Sequence, residues 1–386
     1  MLAARDPVVT AHAANRDAAA HVARLASADP AVLFSDFMRE HDKSYASKAE
    51  EASRRVAFFR NVEKAKKLNA ARKGPHSAVY GVTKFSDMSE EEFKTTILMR
   101  RGGFPSPHVD RRVEVTDEEL ARVSKTTEFS WVKQGAVTSV KDQGTVGTCW
   151  AFSAVGNIEG QVAVNAMKSG KTNLNSLSVQ QIATCDETTF KNGTGDCGPF
   201  GGWPFVAYDY VHNAGGIMTW DDYPYCMGYG KCFPCYKTWN QTVCGEPKPF
   251  CSKDKKENEV CHYEQSKAAA KVDGWNFYSK NETELVAQLT SVGPMSIAID
   301  ASSLQAYLFG IIDWELCSSD PDSADHAVLL VGWGRERDWF LQMNDYWLVK
   351  NSWGATWGEL GYFKLERNTN TCGVANFASS ASVTAL

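Results

Sequence analysis

The chain has 386 residues, room for more than one domain at about 150 residues each. With 43% hydrophobic, 23% charged and 11% aromatic residues it has the composition of a folded protein, not of a disordered or collagen-like one. A net charge of −5 argues against a nucleic-acid binder, and no apolar run approaches the ~18 residues of a membrane helix.

Residues 1–30 are Ala-rich, but Arg5, Asp6, Arg16, Asp17 and Arg24 interrupt any apolar run of the kind a secretory leader needs. We read this stretch as an N-terminal extension. Residues 31–70 read as helix: Val32, Leu33, Phe37 and Met38 recur at helical spacing, then Val56, Phe59 and Val62, and Gly74-Pro75 stops the pattern. Residues 100–125, with Gly102-Gly103, Pro105, Pro107 and many charges, read as an exposed linker. Residues 1–125 carry a net +4 and the remainder −9, so the two parts can dock by charge, more weakly once carboxylates protonate.

A second body begins near Phe129 and runs to the C-terminus. Residues 149–167 form its strongest helix pattern, ended by Gly170, and 177–185 and 203–213 read as shorter helices. From Lys271 onward short apolar or alternating runs take over, at 295–299, 326–331, 346–350 and 361–365, and these read as strands. Helices first and strands later imply an α+β class with two subdomains and a cleft between them.

All 11 cysteines lie at or after Cys149, and six of them fall between Cys226 and Cys261. Such clustering suggests disulfides formed in an oxidising compartment, and an odd count leaves one thiol over. Asn192, Asn240 and Asn281 each begin an N-glycosylation acceptor triplet. The pair Cys232 and Cys235 also fits a redox or zinc motif, but no second Cys/His pair of matching spacing accompanies it.

A lone cysteine is usually a small buried hydrophobe or a disulfide partner. Cys149 has a different setting. It heads a predicted helix after Gly144 and Gly147, where free N–H groups and the positive dipole end favour a thiolate. Such a nucleophile needs an imidazole. Past residue 125 the choices are His212, His262 and His326. His212 sits at a helix end, where capping is the ordinary role, and His262 lies among the clustered cysteines. His326 opens an apolar strand, and Asn351 could fix its tautomer from the next strand's end.

The segments 142–153 (Asp-Gln-Gly-Thr-Val-Gly-Thr-Cys-Trp-Ala-Phe-Ser), 325–327 (Asp-His-Ala) and 351–354 (Asn-Ser-Trp-Gly) together closely resemble the papain family of cysteine proteases. In the front segment Glu50, Arg54, Phe58, Asn61, Ala65 and Asn69 follow the family's prosegment helix motif, in the variant similar to cathepsin F and cathepsin L-like enzymes, and residues 81–87 resemble its second prosegment motif. The resemblance implies a papain-like fold with a helical left subdomain, a β-barrel-like right subdomain and an inhibitory helical prosegment over 31–125 that runs through the cleft of a peptidase domain over 126–386. It implies Cys149 as nucleophile, His326 as acid/base, Asn351 as orienter, Trp353 as shield of that hydrogen bond, and Gln143 as oxyanion donor. It places Gly201, Gly202, Trp203, Pro204, Ala298, Ala324, Asp325, Trp357 and Phe377 along the substrate, with Phe377 on the floor of the second subsite, where Leu or Val would be preferred over Arg. No cofactor and no metal are implied.

The departures from the family pattern are as specific as the matches. Val146 stands where the family has the cysteine that ties down the nucleophile loop, so Cys197 lacks its usual partner. The resemblance pairs Cys317 with Cys372, and Cys185 with one of Cys226, Cys232 or Cys235. Residues 226–263 form an insertion after Tyr223-Pro-Tyr225, where cathepsin B carries an occluding loop, and about 335–345 form a second. The implied function is an endopeptidase zymogen of the lysosome, an acidic vacuole or the secreted space, activated by acid and cut between 105 and 128. Its implied partners are peptide substrates, its own prosegment and cystatin-type inhibitors, with neither nucleic acid nor membrane, and a monomer is expected. The rival readings are a non-catalytic disulfide-rich binding protein on the same scaffold, an exopeptidase restricted by the insertion, and an inhibitor acting through the prosegment.

Overall fold

The computed structural model describes residues 18–99, 113–188, 195–234, 244, 258–337 and 343–386. The acceptor sites at Asn192 and Asn240, the cysteines Cys235 and Cys251 and the linker residues 100–112 lie outside that set.

The front segment begins with helical residues 18–27 (α1), followed by α2 (Pro30–Glu40), α3 (Lys48–Ala70), the short strand β1 (Val79–Tyr80) and α4 (Glu90–Thr96). Each of the last three helices starts where its sequence caps it. Asp29 accepts the Ala31 N–H with Pro30 in the first turn, Ser47 accepts the Glu50 N–H and Ser89 that of Glu92. Helix α3 is polar around most of its girth and buries only a narrow stripe, Phe58, Val62, Ala65 and Asn69, at helical spacing. Phe58 packs against Phe34 and Phe37 of α2, ring centres 5.3 and 5.0 Å apart.

Polar side chains on α3 then fix the course of the chain beyond it. Arg54 Nη1 donates to both carboxylate oxygens of Glu92 (2.7 and 2.6 Å), and Asn61 Nδ2 donates to the Ser86 and Met88 carbonyls. Buried Asn69 both donates to the Tyr80 carbonyl and accepts its N–H, which satisfies a strand too short to do so by pairing alone.

The second body runs through α5 (Asp117–Val123), β2 (Phe129–Ser130), α6 (Cys149–Lys168), α7 (Val179–Cys185), α8 (Pro204–Ala214), β3 (Ile217–Met218), β4 (Phe233–Pro234), β5 (Asn258–Glu259) and β6 (Ala268–Phe277). After the helix Glu282–Val292 come β7 (Met295–Ile299), β8 (Tyr307–Phe309), β9 (Ile311–Ile312), β10 (His326–Arg337), β11 (Met343–Lys350), β12 (Tyr362–Glu366) and β13 (Ser379–Ala385). The main sheet has the order β3-β6-β13-β7-β10-β11-β12-β9, with β2 paired to β10. The barrel-like subdomain is thus one open sheet, because β3 and β9 at its two ends do not pair. Helix α6 is buried from Cys149 to Val164 and packs against β10, β13 and β7. One apolar cluster surrounds α6, α7 and α8 and another lies between the sheet and the front segment.

The front segment docks by strand addition. β1 pairs antiparallel with β8, Val79 opposite Phe309 and Tyr80 opposite Tyr307. Thr83 Oγ1 donates to the Gln305 carbonyl, and Gln305 Nε2 donates back to the Phe85 and Met88 carbonyls.

One sequence expectation is corrected here. Residues 113–125 are not all exposed linker: α5 carries a full capping box, Thr116 with Glu119, and buries Val123 against the second body. Gln288 Nε2, on the helix Glu282–Val292, holds the Val113 carbonyl at 2.6 Å. Only Leu120 and Val123 form the apolar face of this helix, too few to stand out among the charges around them.

Phe58→Ala should remove about 3–5 kcal/mol from the front segment's packing. Denaturant unfolding of the full chain carrying Cys149→Ala will show an early transition moved to lower denaturant, with the late one unchanged.

Candidate active site

Cys149 is the first residue of α6 and is fully buried, so its N–H lies at the free donor end of a 20-residue helix. Thr148 precedes it without capping the helix. Its hydroxyl instead meets Tyr225 Oη at 2.8 Å, and Tyr225 Oη donates to the Gln143 carbonyl at 2.9 Å. With the tyrosine hydrogen spent on Gln143, Thr148 is the donor in the first bond. The nucleophile loop is held further by Gly147 N–H on the Pro199 carbonyl and Thr145 N–H on the Gly228 carbonyl. At Gly144 a Cβ would lie 1.9 Å from the Gly228 carbonyl oxygen, so only glycine allows this approach.

Strand β10 brings His326 to the same place. The N–H of Ala327, its neighbour, approaches Cys149 Sγ at 3.5 Å, so the strand that carries the imidazole touches the sulfur. His326 Nε2 bonds Asn351 Oδ1 at 2.8 Å, and Asn351 follows directly on β11. Since an amide oxygen only accepts, the proton sits on Nε2 and Nδ1 presents a lone pair. Nδ1 is buried with no hydrogen-bond partner among the described residues. Trp353 stacks on the imidazole, centres 4.6 Å apart and planes inclined by 25°, and Trp357 meets Trp353 edge-on at 4.8 Å.

The front segment closes the cleft over these groups. Gln143 Nε2 donates to the Ile97 carbonyl at 2.8 Å, while Ser352 Oγ donates to Gln143 Oε1 at 2.7 Å and fixes which way the amide points. Met99 N–H donates to the Asp325 carbonyl at 2.8 Å. The Met99 side chain enters the same apolar cluster as Cys149, Trp203, Ala298, Ala324 and Phe377. Phe85 and Phe93 stand edge-on to Trp353 at 5.1 and 5.5 Å.

Under this cover both reacting groups are pushed toward neutrality. Burial lifts the Cys149 thiol to about 12, against the lowering effect of the Ala327 N–H, and drops the His326 imidazole to about 4, against the bond to Asn351. Burial in the closed chain thus favours the uncharged thiol and the uncharged imidazole.

Of the residues expected along a substrate, Trp203 and Phe377 face each other with ring centres 5.8 Å apart, Pro204 opens α8, and Ala298 and Ala324 are buried beside them. Gly201 takes a φ of 125°, and at Gly202 a Cβ would collide with Trp150 and Asp196. His212 Nδ1 bonds the Val272 carbonyl, and His262 stands edge-on to Tyr223, so neither approaches Cys149.

Cys149 is the free cysteine among the described residues, and Cys317 is joined to Cys372. The expected pairing of Cys185 with Cys226, Cys232 or Cys235 is corrected: Cys185 joins Cys261, and Cys226 joins Cys232. Tyr223 Oη holds the Val260 carbonyl, which leads the far end of the insertion back to α7, while Gln180 Oε1 holds the Cys226 N–H in a tight local loop. Cys197 finds its partner inside the insertion, at Cys244. Sequence reasoning missed Tyr225 and Ser352 as parts of the site. The first was visible only as the residue before the insertion, the second only as a letter inside the Asn-Ser-Trp-Gly segment.

A thiol at a helix start, an imidazole oriented by an amide, and a second amide aimed at a peptide carbonyl make up the apparatus of a cysteine-type peptide hydrolase. Comparison with known proteins agrees with this geometry. The papain family cysteine protease profile matches residues 125–382, and the cathepsin propeptide inhibitor domain (I29) matches residues 34–93. The chain is 36% identical over 355 residues to mouse cathepsin F, covering 92% of this chain and 65% of that protein. To cysteine proteinase 1 of Dictyostelium discoideum it is 34% identical over 353 residues, covering 90% and 91%. Among solved structures, digestive procathepsin L2 from Tenebrio molitor larval midgut superposes with a TM-score of 0.71 at 31% identity, over 92% of this chain and 100% of that one. The chain belongs to the papain family of cysteine proteases and has the zymogen form, its front segment serving as an intramolecular inhibitor.

Alkylation of the full chain by iodoacetamide at neutral pH should therefore be slow at Cys149, and at least about a hundredfold faster once the front segment is removed. Mass spectrometry of the Cys149 peptide before and after activation checks this.

Proposed function

We propose that the enzyme is an endopeptidase in which Cys149 attacks the scissile carbonyl and His326 moves the proton. With the prosegment gone, water and substrate enter, and the pair ionises to thiolate and imidazolium. The thiolate adds to the carbonyl carbon, and the oxyanion takes hydrogen bonds from Gln143 Nε2–H and the Cys149 N–H. His326 gives its proton to the leaving amine, an acyl-enzyme remains, and a water deprotonated by His326 releases the acid. Asn351 keeps the ring in its working tautomer, and Trp353 covers that bond. One observation carries the reading: Gln143 already holds a peptide carbonyl, that of Ile97, beside the buried sulfur.

The same reading puts Met99 of the prosegment near the second subsite formed by Trp203, Pro204, Ala298, Ala324 and Phe377, with Asp325 supplying a backbone carbonyl to the bound chain and Gly201-Gly202 the paired strand. Phe377 fills the floor and favours Leu or Val. The insertion at 226–263 borders the loop before Cys149 through Gly228 and Tyr229, which supports a cleft shaped on one side by the insertion. The prosegment extends over 31–125, the peptidase over 126–386, and the enzyme works as a monomer in an acidic vacuole, a lysosome or outside the cell.

Acid weakens the prosegment through the carboxylate of Glu90, and ion pairs tie that segment to the peptidase. Lys84–Asp142 (2.6 Å) and Lys73–Glu315 (3.1 Å) cross from prosegment to peptidase. Inside the prosegment the Lys94 hydrogen bond, followed by Lys64, holds Glu90 below the usual glutamate range. A carboxylate with a depressed folded value stabilises above its unfolded value, and that stability disappears as pH falls through the folded value. The α3–α4 contact thus loosens in acid.

Two measurements test this. Gln143→Ala should lower kcat/KM on Leu-containing peptides by about 10²–10³-fold, while the wild type cleaves these faster than Arg-containing ones. Lys84→Ala removes an interface pair worth about 1 kcal/mol or less, and self-processing, followed on gels across pH, should start at a higher pH than in the wild type.

A further inference from the structure

Two carboxylic acids lie side by side behind residues 201–203. Asp186 ends α7 with 0% exposure, and Asp196 is 3% exposed. Asp186 Oδ1 accepts the Thr188 N–H at 2.9 Å, and Asp196 Oδ1 accepts the Trp203 N–H at 2.7 Å. The remaining oxygen of each is buried without a hydrogen-bond partner among the described residues, and the Asp196 N–H, donated to the Thr188 carbonyl at 2.9 Å, draws the two acids together. Two buried acids short of donors and close together resist being ionised at once, which favours keeping one proton on the pair. No Lys or Arg among the described residues forms an ion pair with either.

We propose that Asp186 and Asp196 share one proton, and that this proton positions the strand of Gly201, Gly202 and Trp203 for substrate. The inference rests on the substrate-strand reading given under Proposed function. The strand lies directly on the pair: a Cβ at Gly202 would lie 2.4 Å from Asp196 Oδ1 and 2.6 Å from the Trp150 ring. Trp203 is the residue just before α8 and forms one wall against Phe377, so a movement of its backbone N–H is a movement of the pocket.

The titratable groups around the pair add to the charge it cannot hold. From α8, Asp209, which accepts Trp275 Nε1–H, raises both acids, and Tyr210, bonded to Gln181, lies close enough to feel Asp186. Exposed Glu187 follows Asp186 in the chain. On the other sides stand the Cys197–Cys244 bridge and the Trp150 ring, which do not titrate. Burial pushes both carboxyls up, and the neighbouring Asp186 charge pushes Asp196 further. The folded chain therefore holds a proton that the unfolded chain gives up in the usual carboxylate range. Stability from the pair is complete below that range and falls as pH rises through the raised value. When the proton leaves, two buried charges repel and the Trp203 contact loosens.

Asparagine at either position keeps an acceptor oxygen and supplies an N–H in place of the shared proton. In the activated wild type, KM for a peptide filling the second subsite should rise between pH 5 and pH 9, approaching tenfold per pH unit above the pair's ionisation, with kcat following a different profile. In Asp196→Asn, and independently in Asp186→Asn, KM should stay within about twofold across the same range. A second readout is amide hydrogen exchange at Trp203 in the full chain carrying Cys149→Ala. It should accelerate with pH beyond the intrinsic dependence, and Asp196→Asn should abolish that excess. If the exchange shows no excess, the shared proton is refuted. If the exchange responds as expected but KM does not, the pair stands and the substrate role of the strand is refuted.

Discussion

The imidazole of His326 is fixed on two sides, by the Asn351 amide at its edge and the Trp353 indole on its face. Everything else in the cleft is arranged about that ring. β10 delivers it to the sulfur, the end of β11 delivers the amide, and Trp357 backs the indole. The front segment exploits the same stack, because Phe85 and Phe93 close on Trp353 from outside. Inhibition is thus more than a plug: the segment that occupies the cleft also buries the thiol and the imidazole, and burial favours the uncharged form of each.

The motif residues could be read in advance because each is announced locally. A cysteine at a helix start after two glycines, a histidine opening an apolar strand and an asparagine closing the next one are short-range signals, and Gln143 sits in the same segment as Cys149. The strands at 295–299 and 326–331 stood out by their apolar runs. What stayed hidden depends on long-range closure. Thr148 and Tyr225 are 77 residues apart, and nothing in either neighbourhood announces the bond. The Cys185–Cys261 bridge spans 76 residues and competes on paper with many other pairings. Asp196 looked like an ordinary loop acid until the fold removed it from water and set Asp186 beside it.

The insertion is structural before it is anything else. Its near end touches the loop before Cys149 through Gly228 and Tyr229, next to the Tyr225 contact that precedes it, while its cysteines fasten α7 and the loop before Gly201 through Cys261 and Cys244. Val146 offers the loop before Cys149 no covalent link, and what holds that loop there is the hydroxyl contact of Thr148 with Tyr225, while Cys197 is bridged to Cys244.

The hydroxyl clamp has a chemical consequence. Reductants that return an oxidised thiol to its working form also cleave accessible cystines by thiol–disulfide exchange. Around Cys149 the loop is tied by Thr148 and Tyr225, whose oxygen-to-oxygen contact is indifferent to thiol reagents. Surroundings that rescue an oxidised Cys149 therefore leave its immediate scaffold intact.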